Sequence, residues 1–269
     1  MFTRLALLFF LTTLILSPIK AQTTGPTRDP NGVALANRAI QALAGSTALS
    51  DITIQANATY IAGSDLETGT ATLVALGNQQ SAVTLNLTDG QRQEIRNGGA
   101  GVWVGPDGTA HAMAMHNCFI DADWFFPTFS LVALATDPTL IITLVGQELH
   151  EGQQVYHLVL SHNLPEQIPN VALLVQRVTT MHLYLDAVSL LPAALDFNTH
   201  PDTDADTNFP VEIRFSAYQS SNGVQAPTRI QKYVQNSLVL DLAVSSVAVN
   251  SGVPASVFTL PAVPGGGAQ

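Results

Sequence analysis

The sequence predicts a mainly β (α+β) protein, an incomplete antiparallel β-barrel of about eleven strands covered by helices. Two observations lead to this prediction. Short segments that alternate apolar and polar residues recur at hairpin spacing over most of the chain. Two other segments have helical character, which is too little helix to cover both faces of so large a sheet. Such a sheet must curl, and partial closure leaves an apolar concave face.

The first residues have the layout of a signal peptide. Arg4 precedes an uncharged apolar run, residues 5–16, which a Ser-Pro pair ends, and Ala21 marks the expected cleavage point. The run is shorter than the roughly 20 apolar residues that span a bilayer as a helix. We therefore expect residues 1–21 to be removed, and the mature protein to be periplasmic or secreted rather than an integral membrane protein. An uncleaved N-terminal anchor is the alternative.

A helix is predicted near the start of the mature chain. Apolar residues from Val33 to Leu43 recur at helical spacing, with polar residues on the other face. Gly45 ends the pattern, so the predicted amphipathic helix covers residues 33–44.

Strand patterns run from residue 51 to residue 116 and again from residue 140 to residue 249. Residues 211–218 and 238–249 alternate most regularly. The last short candidate of the first run is residues 111–116. Turn residues, mostly Gly, Asn and Asp, separate successive strands, so neighbouring strands should be antiparallel.

No linker rich in Pro, Gly or Ser divides the chain, and no internal repeat is visible. We therefore expect one half-barrel domain over residues 22–263. Residues 264–269 carry nothing to bury and are predicted to form a disordered tail.

An apolar segment, residues 121–136, interrupts the strand pattern. Its large apolar side chains include Trp124, Phe125, Phe126, Phe129, Leu131 and Leu134. An Asp can cap its start, and we predict a helix or a helical pair broken at Pro127. A helix that is apolar nearly all round is either buried or covers an apolar surface.

Composition limits the partners. The 269 residues are 46% hydrophobic and 11% charged, which excludes a disordered protein. A net charge of -10 and a pI of about 4.9 argue against nucleic acid and against an anionic membrane surface as partners. The single cysteine, Cys118, excludes a disulfide framework and a cysteine-rich metal site.

The C-terminal third carries short motifs in a distinctive order. They are Leu183-Tyr184-Leu185-Asp186, Leu191-Pro192, Leu195-Asp196-Phe197, a strand ending in Tyr218, Gly223-Val224-Gln225-Ala226-Pro227, Asn250-Ser251-Gly252-Val253 and Phe258-Thr259-Leu260-Pro261. Together with the order of elements before them, these motifs resemble the periplasmic lipoprotein-carrier superfamily. It contains the LolA and LolB outer-membrane lipoprotein-sorting proteins and the related RseB sensor domain.

The resemblance implies a half-barrel with a hydrophobic cavity for acyl chains. By that analogy residues 124–134 form a lid, and the helix at residues 33–43 lines or covers the barrel. The candidate ligand-binding residues of cavity and lid are Trp103, Trp124, Phe125, Phe126, Phe129, Leu131 and Leu134. The alternative is that these side chains fill the core. One departure from the carriers is the small number of Lys and Arg residues, which argues against docking through a basic face.

Two groups of residues are of the types that bind metal ions, and their spacing can be compared with that of known zinc and calcium sites. The first is His111, His116, Cys118, Asp121 and Asp123, and its spacing matches no zinc signature. The second is Asp202, Asp204 and Asp206, which opens like a calcium loop. Thr207 and Ile213 then stand where that loop needs Gly and Glu.

Sequence motifs for catalysis are absent. No nucleophile elbow, P-loop or zinc-protease motif occurs. We therefore predict no catalytic residue, no metal, no cofactor and no enzymatic activity, with a metal-dependent enzyme built on residues 111–123 as one alternative.

The sequence as a whole predicts an exported, soluble protein that binds acyl chains, of lipids or of lipoproteins, in a hydrophobic cavity. The alternative is a sensory or scaffolding module of the same fold, which binds an envelope protein partner and carries no lipid.

Overall fold

A computed structural model describes residues 28–163 and 169–264 of the chain. The predicted signal peptide, residues 1–21, lies outside the described residues. So does all of the predicted disordered tail except Pro264.

The described residues contain one antiparallel sheet of thirteen strands, so the predicted mainly β half-barrel is confirmed, with two strands more than expected. The strands are β1 (Asp51–Ala62), β2 (Asp65–Leu76), β3 (Gln80–Leu87), β4 (Gly90–Asn97), β5 (Ala100–Val104), β6 (Ala110–Ala112), β7 (Leu140–His150), β8 (Gln153–His162), β9 (Met181–Asp186), β10 (Pro192–Thr199), β11 (Phe209–Ser221), β12 (Val224–Val234) and β13 (Ser237–Val249).

The sheet is two meanders joined at their centre. Its order is β6-β5-β4-β3-β2-β1-β13-β12-β11-β10-β9-β8-β7, so every neighbour in the sheet except the β1–β13 pair is also a neighbour in sequence. The central pair joins the first strand to the last, with Ile52 opposite Val249 and Tyr60 opposite Leu240. Strands β6 and β7 are the two edges, and they leave an open seam that the chain crosses between residues 113 and 139.

Four helices are described: α1 (Pro30–Ala44), α2 (Met115–Cys118), α3 (Thr128–Ala133) and α4 (Pro169–Val178). A 3-10 turn, Ala255–Phe258, follows the last strand. None of these helices combines the length and the apolar character that a membrane crossing would need.

Helix α1 confirms the predicted amphipathic helix and begins three residues earlier than expected. Asp29 caps it, because one carboxylate oxygen accepts a hydrogen bond from the Asn31 N–H at 3.0 Å. The other oxygen accepts from the Leu144 N–H of β7, also at 3.0 Å, so the cap fixes the helix to the sheet. Gly45 takes a positive φ of 56° where the helix ends. The buried face of α1 then packs over the concave face of the sheet.

Two sequence expectations around the seam were wrong in detail. Residues 111–116 do not form one strand, because β6 ends at Ala112 and α2 begins at Met115. The short helix lets Asn117 exchange hydrogen bonds with the backbone of His200, which ties α2 to the loop between β10 and β11. Residues 121–136 form turns up to Pro127, and only α3 is helical.

The turns before α3 have a local cause. Asp123 is fully buried, and its carboxylate accepts hydrogen bonds from the Ser130 hydroxyl at 2.8 Å and the Ser130 N–H at 3.2 Å. Asp123 thus accepts hydrogen bonds from Ser130, in the first turn of α3, although it lies seven residues earlier in the chain. The chain between the two residues must therefore fold back in turns. Helix α4 interrupts the second run of strand patterns at residues 169–178.

The convex face of β2–β4 has its own small core. Phe258, in the 3-10 turn, is fully buried against Val74, Ala82 and Ile95. The Asn97 side chain also donates to the Phe258 carbonyl at 3.3 Å. The residues after β13 therefore fold back over the outside of the sheet.

Replacing Phe258 with Ala should lower the free energy of unfolding by about 3–5 kcal/mol, since it removes the centre of this outer core. Urea unfolding followed by circular dichroism measures the change. Val257→Ala is the matched control, because Val257 is exposed in the same turn and its truncation should cost less than about 0.5 kcal/mol. Equal losses in the two variants would contradict the packing described here.

Candidate ligand-binding site

The lid segment, residues 124–134, lies on the concave side of the sheet. Phe125, Phe126 and Leu131 are at most 1% exposed, and Phe129 and Leu134 are also buried in the main core. The rings of Phe126 and Phe129 meet edge to face, 5.6 Å between centroids. These five candidate residues line none of the cavities described below; they pack between α1 and the sheet.

The other two candidates, Trp103 and Trp124, line one cavity, which we call the hollow. It has a volume of about 450 Å³ and lies between strands β3–β5 and strands β12–β13, with Trp124 of the lid segment in its wall. Its apolar lining consists of Val83, Leu85, Trp103, Val104, Pro106, Trp124, Val234, Val239 and Leu240. Its polar lining consists of Tyr60, Arg92, Gln93, Glu94 and Lys232, with Gly105 between the two sets.

A smaller cavity of about 220 Å³ adjoins the hollow. The two share Glu94, Trp103 and Lys232 in their linings. The smaller one extends past Arg96 toward the loop that contains Asp202. The concave face is therefore filled on the lid side and open on the side of β3–β5.

Three charged side chains lie where the two cavities meet. Arg96 is buried, and its Nε donates to the Glu94 carboxylate at 2.8 Å. Burial works against the charge on Glu94, but Arg96 and Lys232 nevertheless hold its pKa below the usual range. Burial lowers the pKa of Lys232, and the Arg96 guanidinium adds to that effect while Glu94 opposes it. The Lys232 ammonium lies 4.7 Å from the centroid of the Trp124 ring.

A second ion pair lies at the rim of the hollow. Arg92 donates to both oxygens of Glu67, at 2.8 and 2.7 Å, and its guanidinium lies over the Tyr60 ring at 4.9 Å. Glu67 is buried, so the pair is fixed in place and its charges cancel.

No protein-family model matches this chain, and no curated protein matches it either. Solved structures do match. A protein domain from Vibrio parahaemolyticus, assigned to outer membrane lipoprotein sorting, superposes with a TM-score of 0.53 at 12% identity, covering 85% of this chain and 96% of that one. A LolA superfamily protein from Nitrosomonas europaea gives 0.51 at 13% identity, with coverage of 85% and 97%. The chain shares the fold of these two structures. A DUF1329 family protein from Desulfovibrio piger gives 0.52 at 11% identity, with coverage of 85% and 96%.

The resemblance seen in the sequence is thus confirmed at the level of the fold. At such low identities the likeness concerns the path of the chain, and any function has to be argued from the side chains of this protein. The side chains where the hollow and the smaller cavity meet include three charges that the sequence analysis did not select.

The sequence analysis did not select Lys232, Glu94 and Arg96, although the strand pattern gave a sign of them. Lys232 occupies an inward position of the alternating strand β12, where an apolar residue is expected, and the inward positions of β4 include Glu94 and Arg96. Ile230, Lys232 and Val234 alternate along β12, and Glu94 pairs with the apolar Val83 and Trp103 of the neighbouring strands. A charge on the apolar face of a strand is the informative exception in such a pattern.

The predicted metal-ligand types at residues 111–123 do not converge. His111 stacks on Trp103 with 4.0 Å between ring centroids, and His116 contacts the Pro201 carbonyl through Nε2 at 3.0 Å. Cys118 is buried, and burial raises the pKa of its thiol. Asp123 binds Ser130, as described above, so the described residues give the metal-enzyme alternative no site here.

The second predicted cluster, Asp202, Asp204 and Asp206, lies in a loop in which a carboxylate accepts hydrogen bonds from the backbone of the same loop. The Asp204 carboxylate accepts from the N–H groups of Asp206 and Thr207, and Asp206 pairs with Arg177 of α4. These contacts use the carboxylates within the loop and its helix.

His162 links the two ends of the apolar segment 121–136. Its Nε2 lies 3.4 Å from Asp121, at the start of the apolar segment 121–136, and its Nδ1 lies 3.6 Å from Asp137, directly after that segment. Burial disfavours the charged imidazolium, but the two carboxylates outweigh burial and raise the pKa of His162. A cavity of about 250 Å³ adjoins these residues. The position of His162 on β8 could not be inferred from a short sequence motif.

Another group lies on strands β7, β10 and β11. Ligand atoms of His150, Asp196 and Glu212 all lie within 4.8 Å of one another, so one cation could reach all three. Arg214 already donates to both oxygens of Glu212, at 2.9 and 2.7 Å, so the chain itself supplies a cation there. One oxygen of Asp196 is buried without a hydrogen bond, and burial together with the Glu212 charge raises the pKa of Asp196 to about 6.

The His162 contacts predict a pH dependence. Because folding raises the pKa of His162, the stabilisation is complete below the unfolded value of about 6.5 and is lost as the pH rises through the folded value. The His162 contribution to the free energy of unfolding should therefore fall as the pH rises above about 6.5, and His162→Gln should remove that part of the slope. Urea unfolding at several pH values measures it. An unchanged slope in the variant would show that the two carboxylates do not hold a charged imidazolium.

Asp196 predicts an effect in the other direction. A carboxyl group whose pKa is raised in the folded state binds its proton better there, so stability falls as the pH rises from about 4 to about 6. Asp196→Asn should therefore stabilise the protein at pH 7.5 by about 1–2 kcal/mol, once solvent screening is allowed for, and much less at pH 4. Thermal unfolding at the two pH values tests this. A variant less stable than the parent at pH 7.5 would contradict it.

Proposed function

We propose that the protein is exported and holds the acyl chain of a lipid or lipoprotein in the hollow. The observation that carries the proposal is a cavity of about 450 Å³ whose wall is mostly apolar and which the lid segment leaves unfilled. Its size is within the range of small-molecule sites. Holding an acyl chain requires no catalytic group and no cofactor.

The energetics support a useful affinity. Burying ten methylene groups contributes about 8 kcal/mol at roughly 0.8 kcal/mol each. Before the cost of ordering the chain, this corresponds to a dissociation constant near the micromolar range. Strands β3–β5 and β12–β13 provide the apolar wall, and Trp124 adds a wide ring to it.

Export belongs to the same proposal. The N-terminal apolar run has the layout of a signal peptide, and one solved structure with the same fold is assigned to outer membrane lipoprotein sorting. An acyl carrier in the periplasm, or secreted from the cell, is consistent with both observations.

The second candidate is a module that binds an envelope protein without lipid cargo. Leu173 and Leu174 of α4 are exposed apolar side chains, and Leu173 is 65% exposed. An exposed apolar helix face is a common feature of protein interaction sites. In this case the hollow would have no ligand and α4 would carry the contact.

Native mass spectrometry of the delipidated protein titrated with dodecanoic acid tests the proposal. We expect a one-to-one complex in the wild type and at least tenfold weaker binding in Val234→Phe, because the larger ring occupies part of the hollow. The matched control is Val145→Phe, at an exposed position on β7 away from the hollow, which should bind like the wild type.

Two results would contradict the proposal. The wild type could bind no dodecanoic acid, or Val234→Phe could bind it as well as Val145→Phe does. The lipid-free module would then be favoured, provided that replacing Leu173 and Leu174 with Ser abolishes capture of an envelope protein by the full chain. Thermal unfolding of each variant shows whether the fold is retained.

A further inference from the structure

We infer that Lys232 binds the anionic head group of an amphiphile whose apolar chain occupies the hollow. This inference rests on the proposed function, and it narrows the ligand to a class: a single acyl or alkyl chain that carries one carboxylate or phosphate.

The first support is where Lys232 stands. It lies near the end of β12, opposite Ile213 of β11 and Leu240 of β13, both of which are buried. Its side chain lines both cavities at their junction. A lysine on this face gives up much of its hydration to apolar surroundings, which is costly unless a partner compensates.

The second support is that the chain supplies no such partner. The Lys232 ammonium forms no ion pair and no hydrogen bond with any described side chain; the ring of Trp124, at 4.7 Å, is its one specific contact. Glu94 is the carboxylate close enough to affect Lys232, but Arg96 already holds Glu94 at 2.8 Å. Trp124 is buried in the same wall; its Nε1–H has no well-formed hydrogen bond among the described residues, but it lies close enough to Glu94 to help lower the pKa of that carboxyl group.

The third support is the sum of charges around the hollow. Of the charges that line the hollow, Arg92 is paired with Glu67 and Glu94 with Arg96, so Lys232 leaves one positive charge there; Asp202 lines only the smaller cavity. This surplus occurs in a chain with a net charge of -10, in which Lys232 is the one lysine after residue 20. A single cation within a mostly apolar wall is complementary to a ligand with one anionic end and a long apolar remainder.

The chemistry of the wall argues against a free inorganic anion as the ligand. Val83, Leu85, Val234 and Leu240 would then face water or empty space, whereas an alkyl chain would cover them. Carboxylate and phosphate are both able to accept hydrogen bonds from an ammonium, so a fatty acid and a phosphorylated lipid share the recognition chemistry.

The test compares ligands that differ only at the head. The delipidated full chain is titrated with dodecanoate, with dodecyl phosphate and with dodecan-1-ol, each below its aggregation limit, and native mass spectrometry measures the complexes. We expect at least one of the two anions to bind at least tenfold more tightly than the alcohol. The anion that binds better identifies the source, a fatty acid or a phosphorylated lipid.

Variants of Lys232 separate the charge from the shape. Lys232→Met keeps an unbranched side chain without charge and should reduce the preference for the anion to less than twofold, while the alcohol still binds. Lys232→Arg keeps the charge and should keep the preference. Arg229→Met is the matched control, because Arg229 is exposed on the same strand and pairs with Asp241 outside the hollow.

The outcomes distinguish the two levels of the proposal. Equal binding of the alcohol and both anions by the wild type, or a preference that persists in Lys232→Met, would overturn the role of Lys232 and leave acyl binding in place. Failure of all three ligands to bind would overturn the proposed function itself.

Discussion

The open seam between β6 and β7 is the constraint on which the rest of the structure depends. A sheet that does not close presents an apolar concave face, and water must be kept from it. Helix α1 and the lid segment do this from the concave side, and the fully buried Asp123 enters with them because Ser130 satisfies its carboxylate. The apolar segment 121–136 is held to β8 near both of its ends through His162.

The same seam explains why an internal space remains. Phe125, Phe126 and Phe129 of the crossing fill the concave face between α1 and the sheet, where they are nearly inaccessible to solvent. Strands β3–β5 curl away on the other arm, and there Trp124 forms a wall instead of a plug. The seven residues that the sequence selected as one set therefore divide between a packed core and a cavity lining. The volume of that cavity limits the size of a ligand, and its charges limit the kind of head group that the ligand can carry.

The sequence predicted the parts of this fold that depend on local pattern. Alternation identified the strands, and helical spacing ended by Gly45 identified α1. The sequence pattern did not predict contacts between segments that are distant in the chain. Glu94 and Lys232 are far apart in sequence and meet only because the two arms of the sheet face each other. The residue types at 111–123 suggested a cluster, whereas short turns and α2 carry those side chains in different directions.

The pairing of β1 with β13 has a consequence for how the chain reaches this state. The middle of the sheet joins residues nearly two hundred positions apart, so its contact order is high and loop closure must precede its formation. Neither arm can be completed at its inner edge until the last strand is available. The arms would meanwhile expose unpaired backbone at β1, the kind of surface that invites association with other chains. A nascent chain of this architecture would gain from being kept extended until its C-terminal strand has emerged.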